Sequence, residues 1–406
     1  MIPAPPPPPA GTEPVVSWGL SGGPWTPWTQ IEQPDKLGLV FHGGAEYDVG
    51  YAKWTYDSPA QRPEDFYDAR GRFVLGPSLQ HDFGRNWFVR GTGQVVVWLR
   101  EQYNLYQINA DDVYAQFGMK DLWDLQVGRF MSWRVYQKGL GYDLYTLEDT
   151  GDLRTNGYPE PMDATKFYPH TYEVNDIFMR GTPGRAAVHA YPTKWSGIEI
   201  LGQYGKNGNT NALGGRVAAG VNFPFLAASV GAETTTQRAA VQQGQFDSTG
   251  VFVECPNCNG RKTSHGYGGS AVFKLAGLVR QIPLEIAGGA AERRNDEWGL
   301  VDGLFANTAS GKTRTWGGFA QLDVGTMTFK KGLILGVGLQ HTEFLADNGD
   351  FQSHQQNAYY VAYPLGFNNA MVKFVLSTAR GDLRPENGTV DGGRMIAGRL
   401  RFSFSF

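Results

Sequence analysis

The chain has 406 residues, 18% of them charged, with a formal net charge of −3 and a pI near 6.2, so the basic excess of a nucleic-acid binder is missing. Glycine (54) and the aromatics (Trp 11, Tyr 19, Phe 24) are abundant, yet no run of about 18 apolar residues occurs, which excludes a transmembrane helix. The mean hydropathy of −0.35 suits a soluble protein, and equally a transmembrane barrel in which every second strand residue faces a polar lumen.

Met1 and Ile2 run directly into a proline tract from Pro3 to Pro9. No secretory signal pattern stands before it, as expected of a mature exported chain with Met1 added; a cytosolic chain with an unstructured start is the alternative. Residues 1–15 are predicted to form a proline-rich, stiff spacer outside the fold, and 16–406 to form one barrel domain.

From residue 37 onward apolar and polar residues alternate, the period of a strand with one greasy and one wet face. In the first such stretch Leu37, Leu39, Phe41, Ala45, Tyr47, Val49 and Tyr51 oppose His42, Glu46 and Asp48. Strands are predicted near 37–54, 70–83, 87–100, 111–118, 122–132, 184–191, 195–205 and 212–223. Further strands are predicted near 225–236, 265–276, 281–292, 312–325, 328–344, 355–364, 369–379 and 392–406. Each is near the length of about 9–11 residues that a tilted strand needs to cross a bilayer.

The connections alternate between short and long. Tight ones such as "DFGRN", "PTKWS" and "PLGFNN" alternate with long ones near 55–69, 101–110, 133–183, 237–264, 293–311, 345–354 and 380–391; only 206–211 is short where a long one is due. This sorting places all long loops at one end and all turns at the other, the asymmetry of an outer-membrane barrel with extracellular loops and periplasmic turns. The predicted fold is therefore all-β: a transmembrane, antiparallel, up-and-down barrel of about sixteen strands. Both termini would lie on the periplasmic side, and the last strand would close on the first. That last strand sets Ile396, Leu400, Phe402, Phe404 and Phe406 against Met395, Arg399, Arg401, Ser403 and Ser405. Its first set is expected to face lipid, with Phe406 as an interfacial anchor; a soluble core strand is the alternative.

The hairpin at 111–132 contains Tyr114, Ala115, Phe117 and Gly118, then a tight turn, then Val127, Gly128 and Arg129. It resembles the matching hairpin of the general bacterial porins. The resemblance implies a homotrimer of sixteen-stranded barrels, whose third loop, here 133–183, folds inward and narrows a water-filled channel for small hydrophilic solutes. It also implies outer-membrane lipids as surroundings and a terminal aromatic strand read by the barrel-assembly machinery. A substrate-selective relative, for sugars, carboxylates or phosphate, stays open. For that relative the loop aromatics Trp133, Tyr136, Tyr142, Tyr145, Tyr158, Phe167 and Tyr168 would form a slide, although packing of the loop is the more ordinary use of such residues.

Strand parity turns Arg90, Arg185, Arg216, Lys274, Lys373, Arg399 and Arg401 inward, with Arg129 and Arg134 at the root of the long loop. Carboxylates at inward positions include Glu46, Asp48, Asp82, Glu199, Glu233, Glu285 and Asp323, and the loop adds Asp143, Glu148, Asp149 and Asp152. Arg90, Arg129, Arg134, Arg185, Arg399 and Arg401 facing the loop carboxylates would set a transverse field across a pore. Scattered charges neutralised by their neighbours are the alternative.

Cys255 and Cys258 lie in the loop 237–264. Two cysteines do not complete a structural zinc site, His265 being the one candidate nearby, and an oxidising compartment favours a disulfide between them. No G-x-S-x-G, H-E-x-x-H or P-loop pattern occurs, so neither an enzyme nor a cofactor is expected, and no metal. An adhesin or receptor using the long loops stays open as a third class.

Overall fold

The computed structural model describes residues 38–130 and 184–405 apart from positions within the connections. The proline-rich start, Arg134, the loop acids Asp143, Glu148, Asp149 and Asp152, Cys255, Cys258 and Phe406 all lie outside the described residues.

Five strands precede the longest connection: β1 (Gly38–Tyr56), β2 (Glu64–Phe83), β3 (Trp87–Arg100), β4 (Leu105–Met119) and β5 (Trp123–Arg129). After it come β6 (Arg185–Thr193), β7 (Ser196–Asn207), β8 (Thr210–Asn222) and β9 (Leu226–Ala239). A short hairpin, β10 (Gly244–Phe246) with β11 (Phe252–Glu254), pairs only with itself. The wall then continues through β12 (Arg261–Lys274), β13 (Leu284–Asp296), β14 (Gly311–Asp323), β15 (Ile334–Ala346), β16 (Phe351–Pro364), β17 (Ala370–Leu383) and β18 (Asp391–Ser405). Each wall strand pairs antiparallel with its neighbours in sequence, and β1 also pairs with β18, from Gly44–Ser405 to Tyr56–Gly393, so the sixteen strands form a closed barrel.

All sixteen predicted strands are present, but most are longer than expected. β2 has 20 residues and β4 has 15, and both extend toward the long-loop end. The connections predicted at 55–69 and 101–110 shrink to 57–63 and 101–104, because paired strands keep their ladders beyond any apolar zone. The sequence places the start of β4 near 111 rather than at Leu105, because the alternation changes parity at Asp111 and Asp112. In the structure a bulge absorbs them: Gly93 pairs with Val113 and Val95 with Ala110, and the ladder runs on. The hairpin β10–β11 is a further addition to what the sequence suggested for 237–264.

Alternation sorts side chains to the two faces of the wall. The outer face carries Phe41, Ile108, Val230 and Ile396, each 60% exposed or more, with Phe402 and Phe404 on the last strand also exposed. A soluble monomer seldom exposes apolar surface that wraps the whole molecule. The wall therefore suits an apolar surrounding, and the terminal strand is no core strand. At the turn end the outer face gathers aromatics: Trp87 stacks on Phe117 at 5.3 Å, Trp123 meets both rings edge-on, and Phe83 completes the group. Trp195, Phe223 and Phe225 extend it around the rim. At the loop end Tyr51 lies 4.9 Å from Tyr67 and donates to Asp65, and Trp316 lies 4.4 Å from His341. Aromatics at both ends of an apolar band mark two water interfaces.

The two faces should respond differently to one charge. Val337→Arg, on the outer face of β15, is expected to cost about 2–4 kcal/mol in lipid vesicles. Gln340→Arg, three residues on and of opposite parity, is expected to cost much less. Denaturant unfolding of the two variants in the same vesicles checks the difference.

Candidate functional site

The inner face is polar over much of its length, and its residues are held by cross-strand pairs. Ser78 and Thr92 share a hydrogen bond of 2.9 Å between β2 and β3. Gln80 donates to Asp82, which also holds Lys120 of the β4–β5 turn. Across the barrel, Gln321 donates to Glu285, the register partner of Lys274.

Among the described residues a dense polar group lies on β5 to β8. Asp124 pairs with His189 in the β5–β6 register, and His189 with Glu199 in the β6–β7 register. His189 Nδ1 is 2.6 Å from Asp124 Oδ1, and its Nε2 is 3.3 Å from Glu199 Oε2. Tyr191 donates to the second oxygen of Asp124 at 2.7 Å, and Arg216 Nε lies 3.6 Å from Glu199 Oε1. Asp124 and Glu199 are wholly buried, His189 is 2% exposed and Arg216 3%. The register continues from Arg216 to Glu233 on β9, so acidic and basic side chains alternate across five adjacent strands. A buried carboxylate is tolerated only when paired and hydrogen-bonded, and Asp124 and Glu199 meet that condition.

Beside the belt lies an apolar patch on the same inner face. Phe130, Ala187 and Leu201 are each buried to 2% exposure or less, and Tyr114 packs against them with its ring 6.0 Å from Phe130 and edge-on. Arg185 donates through Nη1 to the Phe130 carbonyl and through Nε to Gln203 Oε1 at 3.0 Å. It thereby ties the start of β6 to the end of β5, the two roots of the long insert.

The hairpin motif has physical reasons in this setting. Gly118 faces Asp124 so closely that an added Cβ would run into the Trp123 carbonyl, and Gly128 has a φ of 135° against the Val113 carbonyl. Neither position accepts a side chain. Phe117 and Val127 are exposed on the outer face, while Tyr114 lines the inner one.

Of the predicted basic residues, Arg90 is half-buried on β3 in an inward row with Gln80 and Gln116. Arg401 is 1% exposed and sits opposite Asp48 of β1 and Lys373 of β17 in the register. Arg399 is opposite Gly50. Arg129 closes β5 opposite Val113, whose side chain is on the outer face, so plain alternation separates it from the inward set. Arg90, Arg185 and Arg401 thus occupy one arc running from β18 through β1 to β6. Asp124 and His189 are not among the residues that the sequence singled out. The belt that joins them is the feature it missed.

The geometry matches that of solved barrels. OmpT of Vibrio cholerae superposes with a TM-score of 0.55 over 92% of this chain and 99% of its own, at 10% identity. The anion-selective porin from Comamonas acidovorans gives 0.55 over 91% and 100%, at 10% identity. OmpF of Salmonella typhi, solved with daunomycin, gives 0.52 over 90% and 97%, at 13% identity. The fold is that of the outer-membrane porins. No protein-family model matches the chain, and no curated protein sequence does. The chain shares this fold with barrels to which it is only 10–13% identical.

Within this porin wall the belt can be tested by removing its parts. Arg216→Met leaves Glu199 with one cationic partner fewer and is expected to destabilise the barrel by about 3–5 kcal/mol. Adding Glu199→Gln removes the stranded charge and is expected to recover most of that loss. The midpoint of heat-induced unfolding in SDS, compared across the two variants and the wild type, checks it.

Proposed function

We propose that this protein is a porin of the bacterial outer membrane, forming a water-filled channel for passive diffusion of ions and small hydrophilic solutes. The observation that carries the reading is the division of one closed wall into an exposed apolar outer face and a polar inner face. A pore needs nothing else from its wall, and neither an enzyme nor a cofactor enters the reading.

The segment 133–183 is the proposed constriction. It leaves β5 and returns to β6 beside Phe130, Tyr114, Ala187 and Leu201, an inward apolar patch on which a folded-back loop would rest. Trp133, Tyr136, Tyr142 and Tyr145 would supply the matching apolar side of the loop, and Asp143, Glu148, Asp149 and Asp152 would face the basic arc. Arg90, Arg185, Arg399 and Arg401 would make up that arc, with Arg129 and Arg134 at the root of the loop. With both signs present, selectivity between simple cations and anions would be weak. The OmpT structure in its trimer form supports a homotrimer packed through the apolar outer faces, within the lipids of the outer membrane.

Single-channel recording in planar bilayers tests this. Uniform conductance steps are expected, with closures in threes for a trimer. Arg90→Ala with Arg399→Ala is expected to shift the permeability ratio toward cations by roughly twofold in dilute salt, where screening is weakest. Glu148→Ala with Asp149→Ala is expected to shift it the other way. A bilayer that stays silent with folded protein would overturn the channel. Saturable block by one class of solute would move the reading to a substrate-selective porin.

A further inference from the structure

The two roots of the long insert are joined by the shortest strands of the wall. β5 has 7 residues and β6 has 9, and their ladder runs only from Trp123–Ala190 to Gly128–Arg185. So short a ladder resists twisting poorly, and the segment it carries is the longest connection in the chain. Side chains reinforce it. Asp124 holds β6 through both His189 and Tyr191, and His189 passes the connection on to Glu199 of β7.

The chemistry of this brace depends on one proton. Both ring nitrogens of His189 point at carboxylate oxygens, which can only accept hydrogen bonds. An imidazolium donates to both. A neutral ring donates to one and turns a lone pair toward the other, and with the group buried no water repairs the loss. The titratable and charged groups around the ring are Asp124 and Asp121 on β5 and its turn, Tyr191 and Arg185 on β6, Glu199 on β7, and Arg216 and Glu233 beyond it.

We propose that His189 is a positioning residue for the channel: as an imidazolium it locks the β5–β6 pair to β7, and so fixes both roots of the insert. Loss of the proton releases one side of the brace and lets the roots move. This rests on the channel reading above, since what the roots position is the proposed constriction.

The test is single-channel recording of the full-length protein between about pH 5 and pH 10, which brackets the ordinary histidine range. The wild type is expected to be quiet at low pH and to flicker several-fold more often once the imidazolium is lost. His189→Gln, which cannot become a cation, is expected to flicker at every pH with no step. Asp124→Asn gives the ring an amide that can turn to offer either oxygen or NH2, so it is expected to stay quiet throughout. A wild-type pH step that survives in His189→Gln assigns the step to another group and overturns the proposal. So does a wild type without any step, or an Asp124→Asn channel that keeps the wild-type step even if His189→Gln does not fold. Absence of channels in the wild type would instead overturn the channel reading, and the proposal with it.

Discussion

The pairing of β1 with β18 removes the two edges that an up-and-down sheet would otherwise present, and everything else in the structure presupposes it. An unpaired backbone N–H or C=O in an apolar surrounding costs several kcal/mol, so an open sheet with this outer face would have no stable place to be. Once the ring is closed, hydrogen bonding along the wall is satisfied by neighbours alone. The side chains are then free to serve the two faces separately. That freedom is why sequences only 10% identical can take the same fold.

Closure also creates the interior problem that the charged belt addresses. A wall residue facing inward on one strand has neighbours of the same parity on both sides, at the strand spacing of about 4.8 Å. Like charges in such a row would repel across a poorly screened space. On β5 to β9 the row and its diagonals read Asp124, His189, Glu199, Arg216 and Glu233, acidic and basic side chains by turns. The apolar patch of Phe130, Ala187 and Leu201 lies against this belt, so the part of the wall that carries the long insert is held by polar and apolar side-chain contacts together.

Much of this fold could be read from the chain, because a two-residue period survives any loop variation. The last strand is an example: Ile396, Phe402 and Phe404 are exposed on the outer face as the alternation of the sequence indicates, and Arg401 is buried on the inner one. Where the period breaks, reading fails. Asp111 and Asp112 shift the parity of β4 through a bulge, which hid the true start of that strand. Counting back from the Thr193–Ser196 turn would set His189 against Ile200; a register shift between Ala190 and Thr193 brings Glu199 there instead, and nothing local reveals the pairing of His189 with Asp124. Those two residues are 65 apart, with the whole insert between them and no turn from which to count a register. Arg129, at the root of the long loop, stands opposite the outward Val113 in the register and so off the parity of Arg90, Arg185 and Arg401.

The division of one wall between lipid and water is the central claim, and single-cysteine scanning along β15 measures it most directly. In a background carrying Cys255→Ser and Cys258→Ser, each residue from Leu335 to Gln340 would be replaced in turn, labelled with a fluorophore and reconstituted in vesicles. The account predicts a strict alternation. Labels at 335, 337 and 339 are quenched by a lipid-bound quencher, and those at 336, 338 and 340 by a water-soluble one. Quenching of both sets by the same agent, or protection of the odd positions from both, would contradict it.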